Sequence, residues 1–175
     1  SYLLYMPSHT TTTWWLTGLS GAGKTTLAQA LAKELRDRAE AVCVVDGDEL
    51  RSGLSQDLGF DSASRAENVR RAAHMARILN ANGIHAVVAM ISPAAKERDA
   101  ALALIGKERC KEIYINTPLE ICMLRDPKGL YKRAEIGQLT QMTGVQSAYE
   151  PPLSPALHLD TNVTEISQAV LQILA

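Results

Sequence analysis

Short apolar segments alternate with longer segments of helical periodicity along this chain. The apolar runs, each of strand length, lie at 14–16, 41–45, 85–91, 112–116 and 156–160. The run at 41–45 is continuously apolar and β-branched, as in strands buried on both faces of a parallel sheet. Between the runs, the pattern predicts helices at about 24–38, 64–81 and 95–106, a helix that starts at 118–123, and a closing amphipathic helix. Strict alternation predicts an α/β fold with a five-stranded parallel sheet and helices on both faces.

The segment from about 125 to 155 departs from this alternation. It is polar, rich in Gly, Thr and Pro, and long for a connection in a compact domain. Loops of this length are often lids, so we expect a mobile lid here. A chain of 175 residues with 46% hydrophobic content fills one core. We therefore expect a single domain over 13–175, preceded by an N-terminal extension at 1–12.

Charge and cysteine content narrow the classes of partner. The formal net charge of −1 provides no general attraction to nucleic acid or to an anionic membrane. No apolar run approaches the length of a membrane span. Cys43, Cys110 and Cys122 are odd in number, widely spaced and set in apolar stretches, which favours reduced core thiols. We expect a cytoplasmic protein that binds neither nucleic acid nor membrane.

A phosphate-binding motif follows the first apolar strand and opens the first helix. The motif G-x-x-x-x-G-K-[ST] is matched by Gly18, Leu19, Ser20, Gly21, Ala22, Gly23, Lys24 and Thr25. Its glycines let consecutive N–H groups and the helix N-terminus face phosphate oxygens. Lys24 reaches the β- and γ-phosphates and Thr25 ligates Mg²⁺ in such loops. The sequence therefore predicts a P-loop NTPase fold that binds ATP with Mg²⁺.

Two carboxylates follow the second predicted strand. Asp46 and Asp48 flank a glycine where that strand ends, and Ser92 follows the third strand. In open α/β sheets ligands bind beyond the carboxyl ends of the strands. A carboxylate pair there can hold Mg²⁺ through water or orient a hydroxyl for in-line attack. The alternative is that Asp48 caps a turn or a short helix beginning at Glu49.

Cationic side chains lie on the second long helix and in the predicted lid. Arg65, Asn68 and Arg71 recur at helical spacing on one face. The opposite face is apolar and contains Val69, Ala73 and Ala76. The polar stripe is either a solvated surface or an anion-recognition face near the carboxyl edge of the sheet. The lid cations, which either neutralise a transferring phosphate or are ordinary exposed charges, are Lys128, Lys132 and Arg133.

In their order along the chain, these motifs resemble those of the adenylylsulphate kinases, also called APS kinases. The similarity extends from about Trp14 to Leu174. Beyond the P-loop it covers 46–48, 50–51, 57–60, 65, 67–71, 91–93, 125–131, 143–144 and 149–151. The P-loop alone is generic, whereas 57–71 and Lys128–Tyr131 are more specific to this family.

The resemblance implies transfer of the ATP γ-phosphoryl group to the 3′-hydroxyl of adenosine 5′-phosphosulphate (APS). The products would be 3′-phosphoadenosine 5′-phosphosulphate and ADP, which activates sulphate. By the same resemblance, Asp48 orients or deprotonates the hydroxyl, and Asp46 supports the Mg²⁺ shell with Thr25. Lys24 and Lys128 complete the implied catalytic set. The resemblance also implies a homodimer, associated with or fused to a sulphurylase in some members.

The resemblance also assigns binding residues. ATP is bound by the P-loop together with Thr26 and Arg125. Phe60 stacks on the adenine of the acceptor. The implied acceptor site consists of Asp48, Arg51, Phe60, Arg65, Asn68, Ile91, Ser92, Lys128, Gly129, Leu130 and Met142.

Three departures from the family pattern concern the acceptor side. Met142 replaces an aromatic residue that would stack on the acceptor's adenine, and Ala94 and Ala95 replace an aromatic residue and an arginine. Glu49 replaces a common asparagine. These departures keep two alternatives open, namely a related kinase for another nucleotide such as cytidine diphosphoramidate, and a nucleotide-binding regulatory module without turnover. A panel of acceptors separates the three.

Overall fold

The computed structural model describes residues 10–175, so positions 1–9 of the predicted N-terminal extension lie outside the described residues. The strands are β1 Thr13–Thr17, β2 Val42–Asp46, β3 His85–Ala89, β4 Cys110–Ile115 and β5 Leu157–Leu159. The helices are α1 Lys24–Asp37, α2 Gly47–Ser52, α3 Ser62–Ala81, α4 Ala95–Ile105, α5 Leu119–Arg125, α6 Leu130–Glu135 and α7 Ile166–Leu174.

The five strands form one parallel sheet in the order β2-β3-β1-β4-β5. The central strand β1 is buried along its whole length, and Leu16 is paired with Ala89 on one side and Ile113 on the other. The P-loop therefore leaves the sheet at its centre, flanked by the ends of β3 and β4. The predicted five-stranded parallel sheet is confirmed.

Helices cover both faces of the sheet, because successive side chains of a strand point to opposite faces. Trp14 and Leu16 pack with α1 and α7 in one core cluster. Trp15 packs with α3 and α4 in the other. The predicted apolar face of α3 is confirmed, since Val69, Ala73 and Ala76 are all buried there.

Strand β2 differs from its prediction. It lies at the edge of the sheet, and only Val45 of its five residues is buried. The expectation of a strand buried on both faces was therefore wrong, because an edge position leaves one side of a strand without a neighbour. For the same reason Cys43 is half-buried rather than a core thiol, whereas Cys110 and Cys122 are buried, and all three thiols are free.

Two short helices, α2 and α6, interrupt segments predicted as turn and lid. Each has six residues, too few for a hydrophobic period to be visible. Asp46 is the N-cap of α2, because its carboxylate accepts a hydrogen bond from the Asp48 backbone N–H at 2.9 Å. The alternative that Asp48 caps this helix is therefore wrong. Across residues 10–175, no helix is both long and apolar enough to cross a membrane.

Candidate active site

The P-loop is pressed against the strand and helix beside it. A Cβ atom at Gly18 would lie 2.5 Å from the Ile115 carbonyl oxygen, and one at Gly21 would lie 2.8 Å from that of Cys122. Gly21 also has φ +79°, in the left-handed region that favours glycine. Both positions therefore require glycine, and the loop backbone is held against β4 and α5.

Lys24 lies within the loop that precedes it. Its ammonium group donates hydrogen bonds to the carbonyl oxygens of Gly18 at 2.9 Å and Leu19 at 2.8 Å. Burial, and then the positive charge of Lys128, lower the pKa of Lys24 from 10.5 to about 8. This side chain is therefore a buried cation at the N-terminus of α1, where phosphate is favoured.

Thr25 and Asp46 are in direct contact. The Thr25 hydroxyl donates to Asp46 Oδ2 at 2.7 Å, which joins the start of α1 to the end of β2. A hydroxyl and a carboxylate are hard oxygen ligands suited to Mg²⁺, which completes its shell with water and phosphate oxygens. Residues 10–175 contain no cluster of three His, Cys, Asp or Glu side chains that could hold a metal. The oxygen donors of Thr25 and Asp46 suit a magnesium ion whose remaining ligands are water and nucleotide phosphates.

The predicted lid meets the predicted catalytic carboxylate. Lys128, in the turn between α5 and α6, forms an ion pair with Asp48 Oδ2, and both side chains stay substantially exposed to solvent. Helix α6 is anchored beside this pair, since the buried Tyr131 hydroxyl donates to the Ser20 carbonyl of the P-loop at 2.7 Å. The structure thus brings Asp48 and Lys128 to the mouth of the P-loop.

On the acceptor side, Arg51 and Phe60 lie together. The Arg51 guanidinium lies 4.3 Å from the centre of the Phe60 ring and donates to the Gly59 carbonyl at 2.6 Å. Phe60 is 69% exposed, so its ring is accessible to a ligand. The structure therefore presents an aromatic face backed by a cation.

The polar residues of α3 separate into two groups. Arg65 reaches the lid loop, where it donates to Thr143 Oγ1 at 3.1 Å and Gln141 Oε1 at 3.3 Å. Asn68 is buried against α2, and its Oδ1 accepts no hydrogen bond from the described residues. Arg71 instead pairs with the carboxylates of Asp57 and Glu67. Arg65 thus reaches the predicted lid and Asn68 reaches α2, whereas Arg71 ties α3 to the preceding loop through the Leu54 carbonyl and the Asp57 carboxylate.

The loop after β3 turns sharply at Ser92. This residue has φ +42°, is only 2% exposed, and its hydroxyl accepts a hydrogen bond from Trp15 Nε1 and donates one to the Met90 carbonyl. Its side chain is therefore engaged inside the fold. Ile91 precedes it, and its carbonyl oxygen accepts a hydrogen bond from Thr17 at 2.6 Å.

Met142 lies away from solvent. Its side chain is 6% exposed and belongs to the apolar cluster shared by α1 and α7. In this structure it therefore presents little surface to a nucleotide. Met142 does not line the nearby cavity of about 500 Å³, which is bounded by Leu19, the end of β4, Thr117, Leu119 and the loop 144–149. Leu19 is the one residue of the predicted site in that lining.

Arg125 and the threonines near it hold the far side of the P-loop. The Arg125 guanidinium donates to the Gly21 carbonyl at 3.2 Å and to Thr161 Oγ1 at 2.8 Å. The Thr161 hydroxyl donates in turn to the Ala22 carbonyl and lies 2.7 Å from the Thr117 hydroxyl. The sequence reading missed both threonines, although Thr117 and Thr161 follow β4 and β5 and so lie at the edge where ligand-binding residues were sought.

A larger omission is Arg98, which is 1% exposed. It lies on the buried face of α4 with Ala101 and Ile105. Their spacing of three and seven residues was a visible signal that this arginine points into the core.

Known proteins share this arrangement over nearly the whole chain. The model of the adenylylsulphate kinase family matches residues 10–160. The chain belongs to the adenylylsulphate kinase family. The APS kinase CysC of Mycobacterium tuberculosis, solved in complex with AMPPNP and APS, is 39% identical, with 94% of this chain and 95% of that one covered and a TM-score of 0.90.

Other solved structures agree with this placement. The protein APE1195 is 38% identical, with 94% of this chain and 93% of that one covered and a TM-score of 0.85. A hexameric APS kinase from Thiobacillus denitrificans is 33% identical, with 96% of this chain but 29% of that chain covered and a TM-score of 0.71. A sugar kinase from Janibacter at 18% identity shares the fold alone. This adenylylsulphate kinase family member is therefore a nucleotide-binding P-loop kinase, as its sequence predicts.

Proposed function

We propose that the chain transfers the γ-phosphoryl group of ATP to the 3′-hydroxyl of APS, giving 3′-phosphoadenosine 5′-phosphosulphate and ADP. The observation that carries this proposal is the 39% identity, over 94% of the chain, to a kinase solved with AMPPNP and APS. The acceptor-side residues that the family resemblance implies, Arg51, Phe60, Arg65 and Asn68, are all present in the sequence and support the same substrate.

The reacting groups have distinct roles in this proposal. Lys24 and the loop N–H groups bind the β- and γ-phosphates. Thr25 and Asp46 would hold Mg²⁺, and this ion would neutralise charge on the phosphates. Asp48 accepts a hydrogen bond from the attacking hydroxyl and orients it, and Lys128, now paired with Asp48, moves to the transferring phosphoryl group as charge develops. Positioning and electrostatics together account for most catalysis of phosphoryl transfer.

The acceptor would be recognised by charge and stacking. Arg51 and Arg65 supply cations for the phosphosulphate group, and the exposed ring of Phe60 supplies a face for the adenine. The unpartnered Oδ1 of Asn68 supplies a buried acceptor for an N–H or O–H of the ligand.

A second candidate acceptor follows from Met142. Because its side chain is buried with 6% exposure, one side of the expected adenine sandwich is missing here. Ala94 is the N-cap residue of α4 and makes no side-chain hydrogen bond to the helix. A smaller base, as in cytidine diphosphoramidate, needs less stacking surface, so a related pyrimidine-nucleotide kinase is the alternative.

The deciding experiment measures ADP formation with ATP, Mg²⁺ and one acceptor at a time. The panel contains APS, cytidine diphosphoramidate and simple nucleoside monophosphates, with an acceptor-free reaction as the background. We expect turnover with APS well above every other member of the panel. Turnover only with cytidine diphosphoramidate would establish the alternative, and ATP binding without turnover on any acceptor would indicate a regulatory module.

We also propose that the chain is a cytoplasmic homodimer. The hexameric relative from T. denitrificans supports self-association, and the two buried free thiols suit a reducing compartment. Light scattering coupled to size-exclusion chromatography should give twice the 19.0 kDa mass of one chain. A mass of one chain at working concentration would reject the dimer.

A further inference from the structure

Arg98 is the least exposed charged side chain of residues 10–175, with 1% exposure. Arginine is almost never fully buried unless it is paired, and its guanidinium stays protonated in proteins. A buried arginine on α4 therefore has to be held by specific acceptors. Arg98 lies behind the loop after β3, so its hydrogen-bond acceptors show which segments it holds next to that loop.

The guanidinium of Arg98 contacts three separate segments of the chain. Nε donates to Glu112 Oε2 on β4 at 3.1 Å, and Nη1 donates to the Ser92 carbonyl at 2.7 Å. Nη2 donates to the Glu150 carbonyl, at the carboxyl-terminal end of the lid segment. The guanidinium also lies 5.5 Å from the centre of the Tyr149 ring.

Further hydrogen bonds tie the same segments together. The Glu150 N–H donates to the Pro93 carbonyl at 2.9 Å, and its carboxylate accepts from the Ala95 N–H at 3.3 Å. The Tyr149 hydroxyl lies 2.8 Å from the hydroxyl of Thr17, the last residue of β1 before the P-loop. The loop after β3, the end of the lid and β1 are thus joined around one guanidinium.

The loop that Arg98 holds is strained. Ser92 has φ +42°, a conformation that residues other than glycine rarely adopt. Such a conformation persists only where the surroundings over-determine it. A charge-assisted hydrogen bond from Arg98 to the Ser92 carbonyl is a suitable restraint, and Trp15 supplies another through the Ser92 hydroxyl.

We infer that Arg98 is a positioning residue for the acceptor nucleotide. It holds the loop 91–93 and the lid end 149–150 in a fixed position relative to β1. The acceptor hydroxyl is thereby kept at the distance from the P-loop that phosphoryl transfer requires. The expected effect of Arg98 on APS kinetics rests on the proposed function. The coupling of the two segments through the Arg98 side chain does not depend on that function.

The effect on kinetics should be selective. The P-loop groups that bind ATP, among them Lys24 and Thr25, make no hydrogen bond to Arg98 among the described residues. A displacement of about 1 Å in the acceptor loop is enough to slow transfer by ~10²-fold. Loss of Arg98 should therefore weaken use of the acceptor and leave ATP binding nearly unchanged.

The test uses the full chain with two variants of the buried pair. Arg98→Lys keeps the charge but loses the planar, three-way donor geometry. Arg98→Met combined with Glu112→Gln removes both charges, so that neither is left buried and unpaired. Arg77→Lys makes the same chemical change on the exposed surface of α3 and is the matched control.

Steady-state kinetics and AMPPNP affinity are measured for each variant. We expect the KM for APS to rise by at least ~10-fold in Arg98→Lys, with a lower kcat and an AMPPNP Kd within about twofold of the unsubstituted protein. Arg77→Lys should match the unsubstituted protein throughout. Unchanged APS kinetics, or an equal loss of APS and AMPPNP affinity, would overturn the inference.

Hydrogen exchange separates failure of this inference from failure of the proposed function. In Arg98→Lys, amides of peptides covering 90–95 and 148–151 should exchange faster together, while those of β1 and α1 keep their protection. Unchanged protection of both segments would overturn the positioning role. If the unsubstituted protein does not phosphorylate APS, the proposed function fails, and the exchange result alone decides whether Arg98 couples the two segments.

Discussion

At the scale of single residues, burial of charge affects which side chains of this site are protonated. Lys24 is a cation in a P-loop with a pKa lowered to about 8, because burial and Lys128 both disfavour its charged form. Asp48 lies at the surface and is paired with Lys128. Lys24 therefore stays mostly protonated at neutral pH and loses its proton around pH 8, whereas Asp48 is balanced by an exposed lysine.

We expect ATP affinity to fall as pH rises above about 8. In the free protein, Lys24 loses its proton as the pH rises through its pKa of about 8. Bound phosphates favour the charged form and raise this pKa, so nucleotide binding above pH 8 is accompanied by uptake of a proton. The Kd for AMPPNP with Mg²⁺ should approach a tenfold increase per pH unit above the free-state pKa. Calorimetric titrations from pH 7 to pH 9 measure this dependence.

Two variants separate Lys24 from the other lysines. Lys24→Met should bind AMPPNP weakly and lose the pH dependence. Lys33→Met, which removes an exposed lysine paired with Asp37, should keep the profile of the unsubstituted protein. A flat profile in the unsubstituted protein would contradict the assignment.

Asp48→Asn should lower kcat by roughly 10²–10⁴-fold with little change in AMPPNP affinity, because a neutral amide cannot accept the hydroxyl proton or balance Lys128. Asp37→Asn is the matched control, since it makes the same chemical change at an exposed carboxylate at the end of α1 and should remain close to normal. Stopped-time assays of ADP formation measure both variants. Near-normal turnover of Asp48→Asn would limit this residue to a surface role.

At the scale of elements, the P-loop depends on the strand and helix beside it. Its backbone lies against the carbonyl of Ile115 on β4 and that of Cys122 on α5, and Arg125 and Thr161 donate hydrogen bonds to its carbonyl groups. The loop conformation is therefore a property of β1, β4, β5 and α5 together.

Gly18→Ala should destabilise the protein and reduce AMPPNP affinity, because its Cβ would lie 2.5 Å from the Ile115 carbonyl oxygen and the backbone would have to move. Overpacking of this kind costs ~1–3 kcal/mol. Gly53→Ala is the control, since a Cβ there meets nothing within 4 Å. Urea unfolding of both variants measures the difference, and equal free energies of unfolding would contradict the close packing of the loop.

At the scale of the whole molecule, one sheet separates two core clusters. Trp14 lies in the cluster beneath α1 and α7, whereas Trp15 lies in the cluster beneath α3 and α4. The two tryptophans are adjacent in β1 and are the only ones in the chain. Because strands β1 to β4 contribute side chains to both clusters, unfolding of one removes the support of the other.

Unfolding should therefore be a single cooperative transition. Trp14→Phe leaves Trp15 as a reporter of the α3 and α4 side, and Trp15→Phe leaves Trp14 as a reporter of the other side. In each variant, the urea midpoint from fluorescence should coincide with the midpoint from far-ultraviolet circular dichroism. Fluorescence midpoints that differ from circular dichroism in either variant would indicate that the two sides unfold separately.

The local part of this protein could be predicted from its sequence. Glycine spacing predicted the P-loop, and the local apolar pattern predicted the strand before it and the helix after it. These signals lie within short segments of the chain. The site residues Asp46 and Asp48 were predicted because parallel strands end at a common edge. Helix α6 was missed, and α2 was foreseen only as an alternative that begins two residues too late, because six residues do not complete two turns.

Tertiary structure alone decided which segments meet. The edge position of β2 depends on strand order, which no local pattern encodes. Met142 is buried among residues distant in the sequence, and Arg98 contacts Glu112 and Glu150, which are 14 and 52 positions away. The free energy of such contacts comes from packing and desolvation in the folded chain. Sequence alone determined the fold class and the phosphate-binding loop, because those follow from residue type and local spacing. Only the folded chain decided which side chains face the acceptor, because burial and contact exist only once distant segments are packed together.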